Sequence, residues 1–367
     1  MTPANSPVSN DAENYFQAGV RAQRAGDLDK AAGLYVRSLA LAPNDYRAYN
    51  NLGIVLLRQD RLGSAAAALA RSVNLNPENP VALYYWGKVK RSLGRPVEAE
   101  DAFGRALALD PNYVTAHFEL GNVLNDQARF DEAILCYDQA LALDPNFLDA
   151  RWPRILALFR KGDLGAAFSD YEARFLREDC KPRELKQPLW DGDELSGKTI
   201  LLHHEQGLGD TIQFCRYAKL AAARGGRVVL GCQKRLHRLL GSVRGVSQIV
   251  VPGDRFRLDC HAPLLSLPRI FKTELDSVPC EVPYLAPPSD ARFRLKSNPG
   301  SRVNVGLVWA GNPKNTNDSK RSVPLEYFLS LAEVPGLSLH SLQFGERSSD
   351  IERLGALALI HDLSEEV

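Results

Sequence analysis

Residues 199–217, TILLHHEQGLGDTIQFCRY, hold the side chains and backbone best suited to chemistry. An apolar strand running into a glycine-rich turn and then a helix delivers main-chain amides to an anionic ligand. Gly207 and Gly209 allow close backbone approach, although the pair lacks the third glycine of a dinucleotide fingerprint. Asp210 ends the turn with a carboxylate that could accept a proton. Followed by Gln213, it also makes a capping box that would satisfy the first helical amides. A helix N-terminus favours the ionised carboxylate and weakens it as a base unless the site is dry. His203, His204 and Glu205 fall at the carboxyl end of the strand, the edge where open α/β sheets place ligands. Strand alternation lets only one of the two histidines point with Glu205.

A second polar loop, residues 312–322, holds Lys314, Asn317, Lys320, Arg321 and Ser322 after another apolar strand. Cations and hydroxyls there suit a diphosphate, with arginine as a fork; a solvated loop would look the same. Asp191-Gly192-Asp193 matches a DxD metal motif in letters, but it lies in a linker ahead of any strand, so no metal is expected.

The elements that position these residues follow from period and punctuation. Gly19, Gly53, Gly87 and Gly121 repeat every 34 residues, as do Pro43, Pro77, Pro111 and Pro145, and Ala31, Ala65, Ala99, Ala133 and Ala167. Each unit reads as two amphipathic helices crossing at the small residues, with Tyr35, Leu69, Phe103, Tyr137 and Tyr171 between units and the proline stopping the second helix. Four units cover 12–147; a fifth, 148 to about 178, is degraded, with Ile155 in place of glycine. No continuous polar ladder lines the groove, since Tyr85 and Glu119 stand where Asn51 does.

A linker with Pro182 and Pro188 follows, and then strands at 199–203, 227–230 and 248–251 alternate with helices at 211–224 and 234–243, implying a parallel sheet. After a proline-rich passage the pattern restarts: strands at 303–309 and 337–342 flank a helix at 325–333.

Composition narrows the classes. With 45 Lys plus Arg against 44 Asp plus Glu, formal charge +1, no global field draws the chain to nucleic acid or anionic lipid. The six cysteines show no metal spacing and read as reduced thiols. No apolar run approaches the ~20 residues of a membrane span, and residues 1–12 lack a signal-peptide pattern, so a cytoplasmic location is expected.

Three runs, HEQGLGDTIQFCRYA, HAPLLSLPRIFKTELDSVPCEVPYL and VGLVWAGNPKNTNDSKRSVPL, resemble bacterial tetratricopeptide-repeat (TPR) proteins with a glycosyltransferase-like domain of the GT-B fold. That family is similar to the O-linked N-acetylglucosamine transferases in layout and to the ADP-heptose:lipopolysaccharide heptosyltransferases in its catalytic half. The resemblance implies a multidomain chain: a disordered N-terminus (1–11), an all-α TPR solenoid (12–178), a linker (179–198), a Rossmann-like acceptor-side domain (199–300) and a partial donor-side α/β domain (301–367). It implies inverting, metal-independent transfer from a nucleotide-sugar, bound as substrate rather than cofactor, to a protein or glycan acceptor recruited by the TPR groove. By the same resemblance Asp210 is the base; Glu205 and His204, from their place at the carboxyl end of the strand, are the other candidate catalytic residues. Gly207, Gly209, Lys314, Asn317, Arg321 and Ser322 face the donor phosphates, Arg321 and Ser322 foremost. About 65 residues remain from Val303, whereas such a second domain takes on the order of 120, so truncation is expected. A non-catalytic TPR adaptor with a relic transferase domain is the competing reading. A dinucleotide oxidoreductase ranks third, for want of an acidic residue at the ribose spacing.

Overall fold

The computed structural model describes residues 10–177, 180–254, 256–288, 300, 302–311, 313 and 318–363. Ten helices open the chain: α1 Asn10–Arg24, α2 Leu28–Leu41, α3 Tyr46–Arg58, α4 Leu62–Leu75, α5 Pro80–Ser92, α6 Pro96–Leu109, α7 Val114–Asp126, α8 Phe130–Leu143, α9 Leu148–Lys161 and α10 Leu164–Asp170. Their starts are written in the sequence. Asp27 and Asp45 cap the amides of Lys30 and Arg47, Asn79 caps Val81 and Ala82, and Pro80 and Pro96 open their helices without wasting a donor.

The first-helix glycines stand where the two helices of a unit cross, and the large residues expected between units pack against them inside the unit. A methyl on Gly87 would stand 2.7 Å from the Phe103 ring, and one on Gly19 or Gly121 equally close to Tyr35 or Tyr137, so each first-helix glycine seats the large residue of its own second helix. In the fifth unit Ile155 is fully buried where the glycine would be. Asn10 and Asp11 are already helical, while the rest of the expected disordered N-terminus, residues 1–9, lies outside the described residues.

Four parallel strands follow: β1 Thr199–His203, β2 Arg227–Gly231, β3 Val246–Val250 and β4 Cys260–Pro263, in the spatial order β3-β2-β1-β4. The expected helix over 211–224 starts earlier and is broken into α11 Leu208–Phe214, a 3-10 turn Cys215–Tyr217 and α12 Ala218–Ala222. β4, inside the passage taken as proline-rich, is a strand of four buried residues that ends on its proline. The linker is structured beside it: Leu189 bridges His261, and the Trp190 amide donates to the His261 carbonyl at 2.8 Å.

Phe168 of α10 packs with Ile200, Leu202, Phe214 and Leu267, so the last repeat and the sheet share one core. Met1–Ala286 accordingly forms one compact unit and Pro287–Val367 another. Residues before 178, between 178 and 199, and after 199 all contribute to that core. Among its described residues the second unit holds three parallel strands in sequential order, β5 Val303–Leu307, β6 Leu337–Ser341 and β7 Ile360–Asp362, over a core of Leu307, Trp309, Leu325, Leu339 and Ile360. The helix expected at 325–333 is 3-10 in form. Among the described residues no helix is long and apolar enough to cross a membrane.

Candidate functional site

β1 ends at His203, and the chain turns outward through Glu205, Gln206 and Gly207 into α11. β2 and β3 lie on one side of β1 and β4 on the other, so the carboxyl ends of β1 and β4 flank the point where strand order reverses, the place where open parallel sheets form a crevice.

Glu205 stands at that crevice, with its side chain 8% exposed and bound by Arg174, itself 1% exposed, at 3.1 Å from both oxygens. Arg174 comes from the 3-10 turn Tyr171–Leu176 that closes the repeat array, and it also donates to Glu172 at 2.6 Å and to the Ser266 hydroxyl at 2.7 Å. Ser266 passes its own hydrogen to Glu172 at 2.9 Å. Burial raises the Glu205 carboxyl above the ordinary range despite the guanidinium beside it. Glu205 is therefore clamped rather than free.

Asp210 is both cap and cavity wall. Its Oδ2 accepts from the Gly207 amide at 2.9 Å, so the cap partner is Gly207, three residues upstream, not Gln213 downstream as the spacing implied. The same residue lines a cavity of about 350 Å3 with Phe168, Tyr171, Gln213, Arg216 and Leu265. The turn itself is exposed, and Gly209 has open space where a side chain would stand. It is braced from below: Gln233 donates to the Gln206 and Gly207 carbonyls at 3.0 and 3.3 Å, and Thr211 donates to Gly207 and to Gln233.

The two histidines separate. His204 hydrogen-bonds the Gly231 carbonyl at 3.2 Å and lines a different cavity with Leu201, Cys232 and Phe256, so it is not brought to Glu205. His203 is buried and meets His261 of β4 at 3.2 Å, in a cavity that also contains Ser266 and Glu172. Burial first, and the Arg183 charge second, push His203 down to about 3; burial lowers His204 and His261 as well.

In the second unit the Ser322 hydroxyl accepts from the Gly311 amide at 3.0 Å and donates to Asp318 at 2.8 Å, so it serves the loop's own geometry. Arg321 is exposed and lies 3.7 Å from Asp318. Lys314 and Asn317 lie outside the described residues. Gln343 holds this loop from beneath, accepting from the Trp309 and Ala310 amides at 3.1 and 2.9 Å. Asp191 and Asp193 form a turn with each other, Asp193 N–H to Asp191 at 3.4 Å, next to Trp190.

Sequence reasoning missed Arg174, Ser266, His261, Gln233 and Gln343. Their only signals were indirect: Arg174 falls in the unit that departs from the repeat pattern, and His261 and Ser266 lie within the HAPLLSLPRIF run.

Comparison with known proteins identifies the helical part. Tetratricopeptide-repeat models match residues 16–80, 80–113 and 114–147. Residues 16–147 are tetratricopeptide repeats. Protein FlbA of Caulobacter vibrioides is 24% identical over 229 residues, covering 55% of this chain and 38% of FlbA, so the match spans well under half of that relative. Among solved structures, a MamA protein is 26% identical, covering 46% of this chain and 92% of its own, with a TM-score of 0.43. YrrB, described as a TPR protein with an unusual peptide-binding site, is 23% identical, covering 44% and 84%, with a TM-score of 0.41. TPR arrays of this kind fit protein–protein interaction, and a parallel α/β region follows this one.

Proposed function

We propose that this chain is a glycosyltransferase-type protein that moves a sugar from a nucleotide-sugar to an acceptor delivered by its TPR repeats, by inversion and without a metal. One observation carries the reading. Asp210 stands on the wall of an aromatic-lined cavity of about 350 Å3 at the carboxyl edge of a parallel sheet ordered β3-β2-β1-β4, the first four places in the strand order of a doubly wound nucleotide fold.

Cap and base are compatible roles for this carboxylate. Oδ2 is held by the Gly207 amide, which fixes the side chain, while Oδ1 carries no hydrogen bond among the described residues and is the oxygen left to take an acceptor hydroxyl's proton. Tyr171 and Phe168 offer the apolar faces on which a sugar ring would rest.

The test is Asp210→Asn in the whole chain. Asparagine still accepts the Gly207 amide, so melting temperature should hold within about 2 °C, a shift equivalent to about 1 kcal/mol. Release of nucleoside diphosphate from the preferred member of a nucleotide-sugar panel should fall at least about 100-fold, the lower end of what one general base contributes. Unchanged turnover in the variant, or no turnover and no thermal shift with any nucleotide-sugar for the parent, would reject transfer.

A second reading, a non-catalytic TPR adaptor, is compatible with the Arg174–Glu205 clamp, which engages one of the two carboxylates expected at the site. It predicts a partner captured equally by the parent chain and Asp210→Asn, with sugar transfer by neither.

A further inference from the structure

A second cavity, sharing no lining residue with that of Asp210, opens at the carboxyl ends of β1 and β4 and has a volume of about 380 Å3. Its floor is the His203–His261 pair, and Ser266, Glu172, Arg183 and Arg269 stand around it with the Trp190 ring. His203 is 1% exposed, yet its Nδ1 has no hydrogen-bond partner. A buried unsatisfied nitrogen costs a fold about 1–3 kcal/mol, and native structures keep few.

A contact of 3.2 Å joins His203 Nε2 to His261 Nδ1, and which ring donates depends on the tautomer. A hydroxyl both donates and accepts, so a hydroxylated ligand satisfies Nδ1 in either tautomer. Around it stand Arg183, whose charge reaches both His203 and His204, and Arg269, which is only loosely engaged by Glu172 at 3.6 Å. Two guanidinium groups call for an anion.

We propose that this cavity binds a small hydroxylated phosphate, a sugar or polyol monophosphate, with a ligand hydroxyl hydrogen-bonded to His203 Nδ1 and the phosphate facing Arg183 and Arg269. The volume lies within the range of small-molecule sites. Ser266 ties the cavity to Glu205 through Arg174, so occupancy reaches the clamp at the sheet edge without touching Asp210.

Calorimetric titration of the whole chain with glucose 1-phosphate, glycerol 3-phosphate, inorganic phosphate and glucose tests it. At least one of the two phosphorylated polyols should bind about tenfold or more tightly than inorganic phosphate or glucose. Arg183→Gln, a change at an exposed side chain that leaves the fold intact, should weaken that binding about tenfold, the value of one charged hydrogen bond. His203→Phe should reduce it to the level of inorganic phosphate, and Asp210→Asn should leave it unchanged. In the parent chain the His203 Nδ1 nitrogen resonance should move on saturation. No binding of either phosphorylated polyol, or binding indifferent to Arg183→Gln, or a stationary Nδ1 resonance, would overturn the proposal. Because Asp210→Asn is silent here, failure of this site and failure of sugar transfer give different results.

Discussion

At the scale of single residues the carboxyl edge of β1 distributes its side chains among three tasks. Asp210 is held by one oxygen, Glu205 is locked to Arg174, and His203 is buried without charge. The last has a consequence for acid stability. His203 titrates at about 3 in the folded chain, against an ordinary 6.5, so the unfolded chain binds the extra proton first as pH falls. Its contribution is complete above pH 6.5 and is lost as pH drops toward 3, a span worth on the order of 5 kcal/mol. Glu205 acts in the opposite sense: with its carboxyl raised by burial, its contribution is present below the ordinary glutamate range and lost as pH rises through the folded value. Urea midpoints at pH 7 and pH 4.5 separate the two. The parent should lose stability at the lower pH, His203→Phe should lose markedly less, and equal losses in both would show that His203 is not held neutral.

At the scale of elements the repeat sequence uses glycine in two ways that structure alone distinguishes. Gly53 faces Leu69 so closely that a methyl has no room, whereas Gly63, in α4 on the other helix of the same unit, has nothing within 4 Å of where a methyl would sit. Gly53→Ala should therefore destabilise the array by about 1–3 kcal/mol through overpacking. Gly63→Ala should stabilise it by about 0.5–1 kcal/mol, since only the backbone freedom of glycine is removed. Thermal melts followed at 222 nm read both signs, and a stabilising Gly53→Ala would mean that α3 and α4 do not cross there. The 34-residue ladder made these helices legible because a repeated interface writes the same small residue at each turn. β1 and β2 were legible too, as short apolar runs between glycine and charge. β4 was not, because its four residues carry a histidine and a proline and its burial is imposed by β1 and the linker on either side. Of the site, the strand, turn and helix order showed in the sequence. The clamp on Glu205 did not: Arg174 lies 31 residues from it, and nothing local marks an arginine destined for a sheet edge.

At the scale of the molecule the repeat array and the first sheet are one body, since the last repeat supplies part of the sheet's core. Phe168 of α10 packs with Phe159 of α9 and Phe214 of α11, at ring separations of 4.9 and 6.2 Å. Arg174 adds a buried polar tie between the same regions. Repeat arrays unfold through nearest-neighbour interfaces, so a defect at one end weakens with distance. Phe168→Ala should remove about 3–5 kcal/mol at its own position. In hydrogen exchange under mild denaturant, amides of β1 such as Leu201 and of α9 such as Leu158 should lose protection by similar amounts, because both belong to the unit that opens together. The loss should fade toward α1 and be absent at Leu339 of β6, which belongs to the second compact unit. A loss confined to α9 and α10, with Leu201 unmoved, would mean that the repeats merely abut the sheet. In that case a partner docked in the groove would have no packed route to Glu205. A loss shared by both would make the last repeat the element through which partner docking reaches the sheet edge.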